Sequence, residues 1–277
     1  MNCKIIVDSC CDMTRELKER LGAAIVPLTM LLGDRSYLDD EQLDLPAFMK
    51  SMAAFTSKVG TASPSPQLYK NEFMGEHISF AVTISSKLSG SFDSAMLGKK
   101  LAEEEGKADV HVFDSKSACA GETLIAIKIH EIISQGLQKS QIISHIESFI
   151  NDMKTYFVLD SIENLLKNGR LNKVVGNIIS ALHIKPVMGA DGNGDIALFS
   201  HVRGPHKIVD KLLDQIGKSG KKTEGLNLVI AHCNNQALAD KLKMAAEKAY
   251  HFKQIFIVPT KGISSVYANE KGIVIAF

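Results

Sequence analysis

The chain contains no tryptophan, and aromatic residues make up only 6% of its 277 positions. So few flat side chains argue against a platform on which nucleobases stack. Charge of either sign is not in excess: 32 Lys and Arg against 31 Asp and Glu leave a net charge of +1. That is too little for a broad electrostatic footprint, so no nucleic-acid partner is expected and at most transient contact with a membrane. The apolar runs reach about seven residues, far short of the roughly 20 that span a bilayer. The opening "MNCKIIVDS" has one early Lys, no long apolar stretch and no small-residue cleavage site. The expectation is therefore a cytoplasmic protein without a secretory signal. Cysteine pairing is absent as well. Cys3, Cys10, Cys11, Cys119 and Cys233 are odd in number and contain no CxxC, as expected for reduced thiols, and the adjacent Cys10 and Cys11 read as packed side chains.

What is present is a globular composition, 45% hydrophobic and 23% charged. The first half alternates short β-branched runs (Lys4 to Val7, Ala24 to Val26, Ile78 to Ile84, Val110 to Phe113) with helical periodicity. Doubly buried strands alternating with helices predict a parallel sheet covered by helices. In the clearest helix, Ile142, Ile143, Ile146, Phe149 and Ile150 share one face, with Ser140 expected as N-cap and Gly136 ending the helix before it. The second half differs. "IKPVMGADGNGDIALFSHVR" reads as two antiparallel strands joined at Gly192 to Gly194, followed by a helix over about 206–216 and strands near 226–230, 255–258 and 272–277. A composition shift near 151–160 sets the expected boundary, giving a parallel α/β domain over 1–155 and a mixed α/β domain over 156–277.

The first-half strands each finish in small polar groups: Asp8 and Ser9, Ser85 and Ser86, Asp114 and Ser115. Carboxyl ends of parallel strands line the crevice where ligands sit, although Asp and Ser there also serve as helix caps. "SSKLSGSFDSA" goes further, placing Ser89, Gly90 and Ser91 just before a helix expected over 92–105. A helix N-terminus suits an anion, Gly permits close backbone approach, and the serines add hydroxyl donors. "GTASPSPQLYKNEF" repeats the pattern, with Thr61 ahead of Ser65 as N-cap and Pro66 as first helical residue.

Other chemistries fit less well. Ser89 is not in a GxSxG elbow and no His or acid is tied to it by local pattern, so a serine esterase using Ser89 is the lesser alternative. There is no GxxxxGK[ST] nucleotide loop. Asp191, Asn193 and Asp195 match the first three ligands of a calcium loop, but Ile196 replaces its required Gly and Val202 its bidentate Glu. His201 and His206 are five apart, with no cysteine pair nearby, so no metal is expected.

"IIVDSCCDM", "IVPLTMLLGDRSYLDD", "TASPSP", "SSKLSGSFDSA", "VFDSKSACAG", "LLKNGRLNK" and "IKPVMGADG" come in the order and rough spacing of the bacterial DegV family, which the sequence resembles over nearly its whole length. The resemblance implies a two-domain α/β protein holding one long-chain fatty acid between its domains. It also implies the acyl-carrying subunit of a fatty acid kinase in phospholipid metabolism. Such a subunit is not itself an enzyme and has no cofactor beyond its lipid; it presents the carboxylate to a separate ATP-binding protein. Carried over by position, Thr61 and Ser89 would bond the carboxylate, with backbone support at Gly90 and Ser91. Arg170 is similar to the arginine that engages the kinase, and the segment near 61–76 would pack with the second domain. The family's C-terminal "HTGPG"-like loop is missing; "GISSVYANEKG" stands there, and Tyr267 would supply a hydroxyl near the absent histidine. That departure keeps a lipid-free regulatory or interaction protein of the same fold as the alternative. A tail gains about 0.8 kcal/mol per buried methylene, whereas bonds to a charged head add roughly 1.5–3 kcal/mol each. The tail therefore supplies affinity and the hydroxyls orient the head.

Overall fold

The computed structural model describes residues 2–106, 108–171 and 184–277. The first half runs β1 (Cys3–Asp8), α1 (Arg15–Leu21), β2 (Ala24–Val26), β3 (Thr29–Leu32), β4 (Arg35–Leu38), α2 (Leu45–Ala54), β5 (Gly60–Ala62), α3 (Pro66–Phe73), β6 (Ile78–Thr83), α4 (Ser91–Glu104), β7 (Asp109–Asp114), α5 (Ala120–Ile133) and α6 (Lys139–Asp152). The second half continues with β8 (Thr155–Val158), α7 (Glu163–Lys167), β9 (Ile184–Ala190), β10 (Ile196–Arg203), α8 (Ile208–Lys218), β11 (Asn227–His232), α9 (Gln236–Ala249), β12 (Gln254–Pro259), α10 (Gly262–Ala268) and β13 (Ile273–Ala276). The end of "LLKNGRLNK", at Asn172 and Lys173, lies outside the described residues.

Three sheets form among the described residues. β2-β1-β6-β7 is wholly parallel, as the buried β-branched runs predict. β10-β9-β8-β13-β11-β12 is mixed, with the glycine hairpin joining antiparallel β9 and β10. A small antiparallel sheet, β4-β3-β5, stands apart from both.

Helix α5 explains how the two large sheets stack. Its sequence AGETLIAIKIHEII is buried nearly all round, the pattern of a helix with no solvent face. It packs on β1 and β6 of the parallel sheet and on β11 and β13 of the mixed one. Strand periodicity completes the layering. Val229 and Ala231 of β11 face α5, while the alternate Leu228 and Ile230 face α8 and α9. On the outer side of the parallel sheet, α3 and α4 cover Ile6 and Ala81.

Several local expectations need adjusting. Ser65 caps α3, accepting from the Leu68 N–H, and Pro66 is its first residue. Ser140 is not a cap: α6 starts two residues earlier than that cap would place it, at Lys139 after Gln138, which forms a reciprocal capping box with Gln141. The segment from Thr61 divides, β5 joining the small sheet while α3 packs on α4 and β2.

Candidate functional site

The polar strand ends do not cap the following helices; Asp8, Ser9, Ser85 and Ser115 are buried, while Ser86 is exposed and Asp114 half-buried. Asp8 is fully buried; its carboxylate accepts from the N–H groups of Cys10 (3.1 Å) and Ile84 (3.0 Å) and from the Ser91 hydroxyl (2.6 Å). It thus ties the ends of β1 and β6 to the start of α4. Asp114 does the same between two loops, accepting from the Ser86 N–H and hydroxyl and from the Lys116 N–H. Thr14, not an acid at the strand end, caps α1.

Ser91 is correspondingly committed. It is buried, its hydroxyl donates to Asp8, and that leaves it to accept from the Tyr69 hydroxyl at 2.6 Å. Its N–H donates to the Ser89 hydroxyl oxygen (3.2 Å). Ser91 therefore has no hydroxyl hydrogen left for a ligand, so it is not the hydroxyl donor that its place before α4 suggested, and its N–H is spent on fixing Ser89. Ser89 is half-buried, and its own O–H is not consumed by the bond from Ser91. Gly90 is exposed at the N-cap of α4, and a Cβ placed on it would lie 3.4 Å from the Ser63 hydroxyl. The two serine-rich stretches therefore meet.

Thr61, on β5, bonds Tyr267 of α10 through their hydroxyls at 2.8 Å, 206 positions apart. Arg170 closes the same neighbourhood. Its Nε donates to the Leu88 carbonyl (3.1 Å) and its Nη1 to the Asn168 carbonyl, so it is half-buried rather than simply solvated. Two residues that the sequence did not single out brace this cluster. Asn168 donates to the Val59 carbonyl (3.0 Å), just before Thr61, and Asn164 to the Val266 carbonyl (2.7 Å), just before Tyr267.

Beside these groups lies a cleft of about 790 Å³ when the open solvent at its mouth is counted. Ile84 and Leu88 wall it from the parallel-sheet side; Phe157, Leu159 and Ile196 wall it from the mixed sheet. Ile263, Ala268 and Tyr267 of α10 and the side chain of Arg170 also line it. Thr61 and Ser89 are not in its wall; Thr61 reaches it through Tyr267, and Ser89 through its neighbour Leu88. The space is thus mainly apolar; of its lining hydroxyls Tyr267 belongs to this cluster, while Ser117 and Thr155 bond each other and Ser264 donates to the Cys10 carbonyl.

Beyond the wall sits a set of buried acids and thiols. Asp12 accepts from the Cys119 thiol (2.7 Å) and the Lys261 N–H (2.7 Å), and burial raises its carboxyl to about 7. Glu122 is fully buried, and its carboxyl is pushed well above the carboxylate range by burial and then by the charge of Asp8. Burial likewise raises the thiols of Cys10, Cys11 and Cys119 far enough to keep them protonated and poor nucleophiles. All five cysteines are free. The candidate calcium loop is a turn: the Asp191 carboxylate accepts from the N–H groups of Asn193 and Asp195. No cluster able to hold a metal ion occurs among the described residues. Nor is any described helix long and apolar enough to cross a membrane.

Two α/β sheets stacked through one buried helix, with an apolar cavity between them, define a two-domain α/β class of protein. The chain belongs to the DegV family: the family model described as "Uncharacterised protein, DegV family" matches residues 2–277. It is similar to a DegV family protein of Ruminococcus gnavus whose crystal structure was refined with vaccenic acid (37% identity, TM-score 0.95, covering 100% of this chain and 99% of that one). It is also similar to the Streptococcus pneumoniae Fatty Acid Kinase (Fak) B3 protein loaded with linoleic acid (34% identity, TM-score 0.91, 100% and 99% covered). A DegV domain-containing protein of Streptococcus gordonii is 34% identical over 281 residues, covering 100% of this chain and 99% of the relative.

Proposed function

We propose that the protein binds one long-chain fatty acid in the cavity between its sheets and presents the carboxylate to a separate ATP-dependent kinase. The observation that carries this is the pairing of an apolar cavity with a hydroxyl cluster on one flank. The fatty acids carried by the R. gnavus and S. pneumoniae relatives support the ligand class, and the name of the latter supports the kinase partnership.

The division of labour follows from magnitudes. Each buried methylene contributes about 0.8 kcal/mol, so the tail supplies most of the affinity before association costs. Thr61 and Tyr267 share one hydroxyl hydrogen between them, which leaves the other to donate to the carboxylate, and the Ser89 hydroxyl donates a second. Neutral donors hold the anion without burying an unpaired Lys or Arg, and the first turn of α4 adds partial positive charge. So held, a carboxylate oxygen attacks the terminal phosphorus of ATP on the partner, giving acyl phosphate and ADP. The segment containing Arg170, at the cavity rim, is the surface offered to that partner. Ser89 has no histidine partner among the described residues, so its hydroxyl serves here as a donor rather than a nucleophile.

The test is calorimetric titration of delipidated protein with oleate. Thr61→Val combined with Ser89→Ala should weaken binding at least tenfold while the apo protein still unfolds in one cooperative transition, its midpoint lowered by the loss of the bonds to Tyr267 and the Ser91 N–H. Equal affinity in the double variant refutes the assigned head-group site. No uptake of oleate by the native chain refutes the carrier function and favours a lipid-free interaction protein.

A further inference from the structure

Helix α10 carries Tyr267 near its C-terminal end, and its N-terminal end makes no side-chain cap of its own. The N–H groups there are held from far away. Those of Gly262 and Ile263 donate to the two carboxylate oxygens of Asp39 (2.9 and 2.8 Å), 223 and 224 positions earlier. The neighbouring Lys261 N–H donates to Asp12. Asp39 is 2% exposed and directly follows β4, and its own N–H is fixed to the Leu28 carbonyl (2.9 Å).

β4 pairs with β3, and β3 with β5, where Met30 stands opposite Thr61. One small sheet therefore grips both ends of α10: Asp39 at the first turn and Thr61 at Tyr267. The helix is seven residues, about 10 Å long at 1.5 Å per residue, so a shift at one end carries to the other. The fit at the grip requires glycine. A Cβ on Gly262 would stand 2.6 Å from Asp39 Oδ1, 2.7 Å from Leu43 Cδ2 and 2.7 Å from Met30 Cε.

We propose that Asp39 is a positioning residue for the head-group site, seating α10 on the small sheet so that the Tyr267 hydroxyl meets Thr61. The consequence for lipid binding rests on the function proposed above; the consequence for Tyr267 itself does not. Both are read with Asp39→Asn, which keeps the size but turns an NH2 toward one of the two N–H donors. In protein labelled with 3-fluorotyrosine, the Tyr267 fluorine resonance is assigned by its loss in Tyr267→Phe. It should move in Asp39→Asn in the same direction as in Thr61→Val, while those of Tyr69, Tyr156 and Tyr250 hold. An unmoved Tyr267 resonance overturns the proposal, whatever oleate does. Oleate affinity should fall about tenfold in Asp39→Asn, as expected for losing a charge-assisted bond; an unchanged affinity in protein that binds oleate also overturns it. Should native protein bind no oleate, the fluorine experiment still decides. Should Asp39→Asn not fold, hydrogen exchange on the native chain decides. Gly262 and Ile263 amides slowed more than a hundredfold relative to free peptide support the grip, and exchange at the free-peptide rate removes it.

Discussion

Asp12 offers the sharpest test of how the buried acids behave. Its carboxyl is fully buried between the Cys119 thiol, the Ser264 hydroxyl, the Lys261 N–H and the charge of Asp39, and it stands at about 7 against an ordinary 3.8. Burial is the dominant cause. Because the folded value is raised, the folded protein keeps a proton that the unfolded chain loses above pH 4. This contribution to stability is complete below pH 3.8 and is lost as pH rises through 7. Between pH 5 and 7.5 the loss from Asp12 is on the order of 2 to 3 kcal/mol. Asp8 and Glu122 are raised by burial too, so they add slopes of the same sign. Asp12→Asn keeps an acceptor for the Lys261 N–H but removes the titration. The chain lacks Trp, so urea unfolding should be followed by circular dichroism at 222 nm. Between pH 5 and 7.5 the variant should gain on the native chain by roughly 2 to 3 kcal/mol, on the order of 1 M in urea midpoint. Parallel pH profiles, or a native chain that gains on the variant as pH rises, would refute the reasoning.

Two further outcomes are expected. Ala118→Phe places a ring in the cavity wall and should lower oleate affinity at least tenfold while affecting decanoate less, measured by competition with a fluorescent fatty acid; equal loss for both would show that Ala118 does not border the tail. Arg170→Ala, compared with the native chain with both fully loaded with oleate, should slow acyl-phosphate formation with a cognate kinase at least tenfold, and an unchanged rate would remove Arg170 from the partner surface.

The elements legible in the sequence are those specified locally. The runs at Lys4 to Val7 and Ile78 to Ile84 appear as β1 and β6, Ser65-Pro66 opens α3, and the glycine hairpin joins β9 to β10. Each follows from the periodicity or turn chemistry of a few neighbours. The small sheet was not legible, because its strands have three or four residues and, unlike the equally short but wholly apolar AIV of β2, each mixes polar or glycine positions with apolar ones. Of the candidate site, Thr61, Ser89 and Tyr267 were marked by resemblance and residue type. What each hydroxyl does depends on partners far along the chain: Tyr267 for Thr61, Asp8 for Ser91, Asp39 for the start of α10. Ser91 shows the limit most clearly. Its sequence context is that of a ligand donor, and only a carboxylate 83 positions away reveals that its hydrogen is already committed.

The central claim is that the cavity takes an acyl tail while the hydroxyl flank takes its carboxylate. The most direct measurement is a crystal structure of delipidated protein grown with oleate. Continuous density should run past Phe157, Leu159 and Ile196 and end with a carboxylate within hydrogen-bond distance of the Thr61–Tyr267 pair. Oleate on the outer surface, or lying in the cavity with its carboxylate at the Asp12–Cys119 end, would contradict it.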